Sequence, residues 1–307
     1  MTIVPTYECN FHCDFCFFNM YRDKEDKKNL LLDLDAFKEF LDTTDNITDL
    51  VVIGGEPFTL PPGYLKRLVD ICYNHIQEKI DVYTNFTLPI PPDLDFSKMR
   101  LIVSYDPCNR ILQSKVLNRM LEFQEDFAIF MIITKELIRD WGAKKVINFA
   151  NKIKKKIYMC NYELVPGNEW SHRPEPEELA AFTIALAKSE NPYFAFKEIN
   201  AYNKICFEDE KEHRFETHVV MTPQMTFSYQ TAGVNKLHRF GNTYEEARRG
   251  FHNTYKNNNI CLGCEYNDFC GKMYAKNNKC EYDKIVMDLF EEEHRRCADG
   301  HHTNLPM

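Results

Sequence analysis

Three cysteines near the start of the chain have a spacing that suits a metal cluster. Cys9, Cys13 and Cys16 form the pattern C-x3-C-x2-C within the segment YECNFHCDFC, residues 7–16. Thiolates bind both zinc and iron–sulfur clusters, but a structural zinc ion takes four protein ligands and a four-iron cluster has four metal corners. Three cysteines without a fourth beside them therefore favour a four-iron cluster with one corner open to a substrate or cofactor over a zinc loop.

A second group of closely spaced cysteines lies toward the other end of the chain. It follows the pattern C-x2-C-x5-C-x9-C in an Asn-rich stretch and comprises Cys261, Cys264, Cys270 and Cys280. Four thiols this close together predict a metal centre, either structural zinc or an iron–sulfur cluster. Cys206 or Cys297 could replace Cys280 as the fourth ligand.

The composition excludes several classes of protein. The start MTIVPTYECN lacks the basic residues and the long apolar stretch of a signal peptide, and the sequence has no run of about 18 apolar residues that could cross a membrane. We therefore expect a cytoplasmic protein, in which 12 cysteines indicate metal binding or catalysis rather than disulfides. A net charge of −8 argues against a nucleic-acid partner.

The elements that must position these cysteines alternate between strands and helices. Apolar runs predict six strands, at 1–7, 49–55, 80–85, 99–106, 127–134 and 156–166, and apolar residues at helical spacing predict helices between most of them, at 33–44, 62–77, 111–123 and 143–153. This alternation predicts an α/β fold with a parallel sheet. Six units are too few for an eight-stranded barrel, so we expect an open, partial (β/α)6 TIM barrel.

The residues that follow the predicted strands carry the polar and flexible side chains. They are the cysteine segment after the first strand, GGEP (54–57) after the second, Thr84 and Asn85 after the third, and Ser104 and Asp106 at the end of the fourth. Active sites of barrel folds lie at the carboxyl ends of the strands. We therefore expect all four segments to converge on one rim.

The cysteine spacing after a first strand, with Phe15 before the last cysteine, resembles the hallmark of the radical SAM superfamily. The segment GGEP also matches a motif of that superfamily. The resemblance implies that Cys9, Cys13 and Cys16 hold a four-iron, four-sulfur cluster whose open iron binds S-adenosylmethionine. It further implies that an electron from the cluster cleaves this cofactor, and that the resulting 5′-deoxyadenosyl radical removes a hydrogen atom from the substrate.

The same resemblance implies which residues contact S-adenosylmethionine. They are Phe15, Gly54, Gly55, Glu56, Pro57, Thr84, Asn85, Ser104 and Arg110. Within GGEP, Glu56 and the glycines hold the amino group of the cofactor. Thr84 and Asn85 stand where the superfamily often has Thr-Asn-Gly, but Phe86 replaces the glycine. Ordinary capping of strand ends is an alternative role for Thr84, Asn85, Ser104 and Asp106.

The C-terminal cysteines resemble the SPASM and twitch extensions of radical SAM enzymes. This resemblance favours an auxiliary four-iron, four-sulfur cluster over zinc. A full SPASM domain carries two auxiliary clusters, but three cysteines of the first are missing here, where the chain has Tyr229 or Gln230, Glu246 and Tyr274. We therefore expect one auxiliary cluster, fully ligated by cysteine, in a domain spanning 215–307. The core would span 1–170 and a helical connector 171–214.

The resemblance implies a peptide made on the ribosome as substrate, modified by a crosslink, a thioether or epimerisation. A dehydrogenase or rearrangement enzyme acting on a small molecule is the alternative, and a non-catalytic iron–sulfur protein is a third. A flavodoxin- or ferredoxin-type protein would donate electrons, and a separate protein could deliver the peptide.

Some residues on the expected rim are candidates for the chemistry itself. Cys108 and Cys160 lie at the ends of strands four and six and could donate a hydrogen atom to a substrate radical, beside Asp106; buried structural thiols are the alternative. Tyr162 and Glu163 could contact the substrate.

Overall fold

The fold is built on one ten-stranded sheet within the described residues of a computed structural model. The described residues are 1–13, 15–16, 18, 30–45, 47–108, 112–162, 172–196, 219–225, 227–229, 238–241, 243–244, 246 and 279–298. Of these, 219–220, 227–229, 238–241, 279–283 and 297–298 are described by their backbone alone.

The strands follow the chain in the order that the apolar runs predict, with additions. They are β1 (Thr2–Ile3), β2 (Val51–Val52), β3 (Ile80–Thr84), β4 (Met99–Ser104), β5 (Phe127–Ile133), β6 (Ile157–Asn161), β7 (Phe194–Phe196), β8 (Val219–Met221), β9 (Phe227–Tyr229) and β10 (His238–Gly241). The described helices are α1 (Leu34–Thr43), α2 (Tyr64–Ile76), α3 (Gln113–Glu122), α4 (Gly142–Ile153), α5 (Pro176–Lys188) and α6 (Lys279–Ala298), with a π-helical turn at Leu137–Trp141 before α4.

The spatial order of the strands is β10-β9-β8-β1-β2-β3-β4-β5-β6-β7. All neighbours from β8 to β7 pair in parallel, whereas β9 and β10 are antiparallel. The expected α/β partial barrel is therefore confirmed, and its two outermost described strands do not pair with each other. The described sheet also has four strands, β7 to β10, beyond the six expected. The division of the chain at residues 170 and 214 stays a prediction.

Burial explains why these segments form these elements. β3 alternates buried and half-buried residues, and β4 and β5 are almost continuously buried, as expected for strands of a parallel sheet that is covered by helices. Helices α1 to α4 each bury one apolar face; in α1 these residues are Leu34, Phe37 and Leu41, and Asp33 caps the helix by accepting two backbone N–H donors. The core thus lies between the sheet and the helices.

The C-terminal helix α6 packs against α5. Val286, Met287 and Phe290 are its buried apolar residues, and the Lys188 ammonium of α5 contacts the buried Glu293 carboxylate of α6. This contact joins the end of the chain to the barrel. Within the described ranges, no helix is both long and apolar enough to cross a bilayer.

Candidate functional site

The cysteine segment is held against the GGEP segment by two backbone hydrogen bonds. The N–H of Gly55 donates to the Thr6 carbonyl at 3.0 Å, and the N–H of Glu56 donates to the Glu8 carbonyl at 2.7 Å. A Cβ on Gly54 would lie 2.7 Å from the Thr6 oxygen, and one on Gly55 would lie 1.7 Å from the Glu8 oxygen. The glycines are therefore required by the close approach of the chain that leads into Cys9.

The three N-terminal cysteines are half-buried and form no disulfide. The Cys9 sulfur accepts the N–H of Phe11 at 3.4 Å, and the N–H of Cys16 donates to the Cys13 carbonyl at 2.9 Å. Burial raises the pKa of Cys9 to about 11; the Phe11 N–H opposes this shift, and the Glu56 carboxylate and the two other thiols add to it. A metal that binds this sulfur would displace its proton.

The three sulfurs share one loop, and the Cys13 and Cys16 thiols lie near enough to Cys9 to add to the rise of its pKa. Among the described residues, no three side chains of His, Cys, Asp or Glu lie close enough together to hold a metal ion. The donor chemistry of the loop nevertheless fits an iron–sulfur cluster, because it offers three unbridged thiols and a backbone N–H directed at one of them. The residues of this loop thus suit such a cluster by their type, spacing and position at the strand ends.

Glu56 connects the ends of β2 and β3. Its side chain is fully buried. One carboxylate oxygen accepts the N–H of Phe58 at 3.0 Å and the hydroxyl of Thr84 at 2.7 Å, and the other accepts the N–H of Asn85 at 2.7 Å. Thr84 accepts the N–H of Phe86 in turn, at 2.9 Å. Glu56 thereby fixes the backbone that follows β3.

The segment after β3 also contacts the cysteine loop. The Asn85 side-chain amide donates to Asn10 Oδ1 at 2.8 Å and lies 3.8 Å from Cys9 Sγ, within reach of a weak hydrogen bond to sulfur. Thr87 accepts from Asn10 Nδ2 at 3.0 Å and donates to Asn85 Oδ1 at 2.6 Å. Thr84 and Asn85 therefore lie at the cysteine loop, as expected from their position at a strand end.

Phe86, which replaces the glycine of the related motif, adopts a left-handed backbone with φ of 59°. That conformation is costly for a residue with a side chain. Arg119 of α3 holds it in place: its guanidinium donates to the carbonyls of Phe86 and Leu88 at 2.5 and 2.6 Å, and lies 4.4 Å from the centre of the Phe86 ring. Burial lowers the pKa of Arg119, and the nearby Glu56 carboxylate opposes that shift.

The end of β4 carries a second group of predicted residues. Ser104 is half-buried and Asp106 is buried. The Asp106 N–H donates to Gln113 Oε1 at 2.9 Å, and its carboxylate accepts the N–H of Cys108 at 3.0 Å. Asp106 thus orients the backbone of Cys108, which suits the alternative reading of strand-end capping as well as a role in chemistry.

The Cys108 thiol stays protonated at neutral pH. Burial raises its pKa to about 12, with further contributions from Asp106, Asp140 and Glu136, while Lys145 opposes the shift. Asp140 belongs to the π-helical turn before α4. Such turns are frequent at functional sites. An S–H group can give up a hydrogen atom, which a thiolate cannot.

The ring of Phe15, which precedes the last cysteine of the motif, packs on residues that follow β6. Phe15 is buried against Tyr162, and both rings lie about 6 Å from the ring of His172, at 6.3 and 6.0 Å. His172 Nδ1 lies 3.2 Å from a carboxylate oxygen of Glu136. Phe15 and Tyr162 therefore lie together, as expected for residues of one rim.

Several residues of this site carry no motif signal in the sequence. They are Asn10, Thr87, Arg119, Glu136 and His172, which the fold brings to the strand ends. Only Asn10 could have been noticed, because it lies inside the cysteine pattern.

The remaining predicted residues lie on other elements or outside the described residues. Cys160 at the end of β6 is half-buried, and its thiol lies 3.4 Å from the Asn161 carbonyl. Cys280 lies in the first turn of α6 and Cys297 near its end. Glu246 is exposed. Outside the described residues lie Arg110, Glu163, Cys206, Gln230, Cys261, Cys264, Cys270 and Tyr274.

No model of a known protein family matches the chain, and no curated protein matches it by sequence. Its fold is similar to solved structures of anSMEcpe, an anaerobic sulfatase-maturating enzyme of the radical SAM type. The structure of that protein with bound AdoMet and the Cp18Cys peptide superposes with a TM-score of 0.66 at 16% identity, covering 97% of this chain and 98% of that one. The structure with bound AdoMet alone gives a TM-score of 0.67 at 15% identity and the same coverage. The chain therefore shares the partial-barrel fold of these structures.

Proposed function

We propose that the protein is a radical SAM enzyme that modifies a peptide. The observation that carries this proposal is the docking of the cysteine loop on Gly54–Pro57 at the carboxyl edge of the sheet, where the ends of β3 and β4 also lie. The cysteine loop, residues 54–57 and residues 84–87 are far apart in sequence and contact one another there. The fold of the chain is also similar to that of proteins solved with bound AdoMet.

Cys9, Cys13 and Cys16 would hold a four-iron, four-sulfur cluster in this enzyme. When bound, such a cluster supplies the electron that cleaves S-adenosylmethionine. The chain itself limits the access of water to Cys9, which is half-buried, and directs the Phe11 N–H at its sulfur. Hydrogen bonds to a thiolate ligand stabilise its negative charge.

S-adenosylmethionine would bind beside this loop, in contact with residues of the strand ends. We assign to this contact Phe15, Gly54, Gly55, Glu56, Pro57, Thr84, Asn85, Ser104 and Arg110. The Glu56 carboxylate already accepts three protein donors, of about four acceptor positions that a carboxylate has. The main role of the Glu56 side chain is therefore to hold the strand ends in place. The backbone of 54–57 then contributes more contacts to the cofactor than this side chain does.

The substrate is a peptide in this proposal, because two of the similar structures contain both AdoMet and a peptide. Oxidation or rearrangement of a small molecule is the alternative reading of the same site. Cys261, Cys264, Cys270 and Cys280 would hold one auxiliary four-iron, four-sulfur cluster, and a flavodoxin- or ferredoxin-type protein would deliver electrons.

Cys108 is the residue we assign to hydrogen-atom transfer. Its thiol gives a hydrogen atom to a carbon radical of the peptide, and the sulfur radical left behind takes up one electron from the external donor and one proton from solvent. Asp106 holds the Cys108 backbone through the hydrogen bond of 3.0 Å. Cys160 lies at the end of β6 and is the second candidate for the same role.

Anaerobic reconstitution with iron and sulfide tests the enzyme class. Reduced protein incubated with S-adenosylmethionine should release 5′-deoxyadenosine, measured by liquid chromatography and mass spectrometry. Alanine at Cys9, Cys13 and Cys16 together should abolish this release and leave about four irons per chain, those of the auxiliary cluster. Cys72→Ala, in the buried face of α2, is the matched control and should keep the release. Wild-type protein that carries iron but forms no 5′-deoxyadenosine would refute the proposal.

Expression together with short peptides encoded near the gene tests the substrate. A mass shift in one peptide would support peptide modification, whereas turnover of a small metabolite with no peptide altered would support the alternative. In deuterated water, hydrogen donation by Cys108 should place one solvent deuteron on carbon in the product. Cys108→Ala should then still form 5′-deoxyadenosine but no deuterated product; unchanged labelling would remove Cys108 from the mechanism.

A further inference from the structure

The orientation of the Asn85 side chain is determined by its hydrogen bonds. The backbone N–H of Thr87 donates to Asn85 Oδ1 at 3.0 Å, so this atom must be the oxygen of the amide. The Thr87 hydroxyl also donates to it and accepts from Asn10 Nδ2 at 3.0 Å. Asn10 therefore turns its oxygen to Asn85 Nδ2, at 2.8 Å. The hydrogen bonds among these three side chains therefore allow only one assignment of donors and acceptors.

This assignment leaves one N–H of Asn85 directed at the cysteine loop. The nitrogen lies 3.8 Å from Cys9 Sγ. The Asn85 backbone is fixed from both sides, because Glu56 accepts its N–H at 2.7 Å and Arg119 holds the carbonyl of the next residue, Phe86, at 2.5 Å. Asn85 is buried, so water does not compete strongly for this donor.

We propose that Asn85 is a positioning residue that raises the reduction potential of the cluster held in part by Cys9. This inference rests on the cluster assignment of the proposed function. Reduction adds a negative charge that is shared by the ligand sulfurs, and an N–H directed at one of them stabilises the reduced form more than the oxidised form. Phe11 supplies a backbone donor to the same sulfur at 3.4 Å, whereas Asn85 supplies the donor that substitution can remove.

Two substitutions separate this role from a purely structural one. Asn85→Asp keeps the shape and the acceptor for Thr87 but removes the donor and adds a negative charge. Thr87→Val keeps the shape of the Thr87 side chain but removes its hydroxyl, which orients the side chains of Asn85 and Asn10. We expect Asn85→Asp to make one-electron reduction about tenfold less favourable, about 59 mV more negative for a one-electron couple. Thr87→Val should give a smaller shift of the same sign.

The measurement is a potentiometric titration of the reconstituted full-length protein, followed by electron paramagnetic resonance. The N-terminal cluster is identified as the signal that is absent from the protein with alanine at Cys9, Cys13 and Cys16. Asn74→Asp, on the exposed face of α2, adds the same charge far from the loop and should leave the midpoint unchanged. Iron content and circular dichroism show whether each variant is folded and loaded.

The outcomes separate the inference from the function on which it rests. Equal midpoints for wild type, Asn85→Asp and Thr87→Val, in loaded and folded proteins, would overturn the inference and leave the proposed function standing. If Asn85→Asp does not load, the midpoint of Thr87→Val decides alone. A wild-type protein without a signal that depends on the three cysteines would overturn both. If Asn74→Asp shifts the midpoint potential as much as Asn85→Asp does, the shift comes from net charge alone, and this result would also overturn the inference.

Discussion

Replacing Glu56 by glutamine should weaken the connection between the ends of β2 and β3. One oxygen of Glu56 accepts from Phe58 and Thr84, and the other accepts from Asn85. Glutamine has a single side-chain oxygen, so its amide NH2 group would face the Asn85 N–H. Two buried hydrogen-bond donors would then face each other without an acceptor. The lost bond to a charged acceptor costs about 1.5–3 kcal/mol. The two remaining bonds become neutral and roughly half as strong, which is offset in part because no charge is then buried.

We therefore expect Glu56→Gln to lower the free energy of unfolding by about 3 kcal/mol, measured by urea denaturation of the metal-free protein under anaerobic conditions. Glu39→Gln, on the exposed face of α1, makes the same chemical change at the surface and should alter it by less than about 0.5 kcal/mol. Equal midpoints and slopes for the Glu56 variant and wild type would refute the reasoning that the three donors need a carboxylate.

Three more perturbations test other contacts of the site. Gly55→Ala places a Cβ 1.7 Å from the Glu8 carbonyl, so the cysteine loop should detach and reconstituted iron should fall by about half; normal iron content would contradict this. Arg119→Lys cannot span the two carbonyls of the loop after β3 and should cost about 1–2 kcal/mol in urea denaturation, whereas an unchanged midpoint would mean that the loop holds itself. Burial raises the pKa of Cys108 to about 12 from 9.0, so at pH 8 iodoacetamide should alkylate it at least about tenfold more slowly than in unfolded chain, measured by peptide mass spectrometry. Because the unfolded thiol ionises first, the contribution of Cys108 to stability is full below pH 9 and is lost as pH rises toward 12.

The main elements of the fold are readable in the sequence because burial dictates their pattern. The strand predicted at 127–134 is Phe127–Ile133, and the helix predicted at 143–153 is Gly142–Ile153. β7 is a different case. It has three residues, Phe194–Phe196, too few to show a period, and its place in the sheet comes from pairing with β6.

The convergence of strand ends could be predicted because all the strands involved run parallel. The atoms that meet there could not, since hydrogen bonds depend on the rotation of individual side chains. Phe86 illustrates the limit: its left-handed backbone contradicts the preference of phenylalanine, and only the contacts with Arg119 from a distant helix explain it. Likewise, Gly54 and Gly55 are needed where two segments of the protein approach each other closely, a contact that the sequence did not predict; their contact with the cofactor stays a prediction.

The position of β1 constrains the order in which the protein can assemble. It pairs with β2 on one side and with β8, Val219–Met221, on the other, and Val4 adds a backbone bond to Met221 at 2.9 Å. A ribosome adds about 5–20 residues per second, so the strand leading into the cysteines waits on the order of ten seconds or more before its second neighbour exists. Until then its edge and the thiols beyond it are open to other chains and to oxidants. Insertion of iron and sulfide is therefore expected to follow synthesis of most of the polypeptide, and chains halted before residue 219 should not retain a stable metal centre at the N-terminal cysteines.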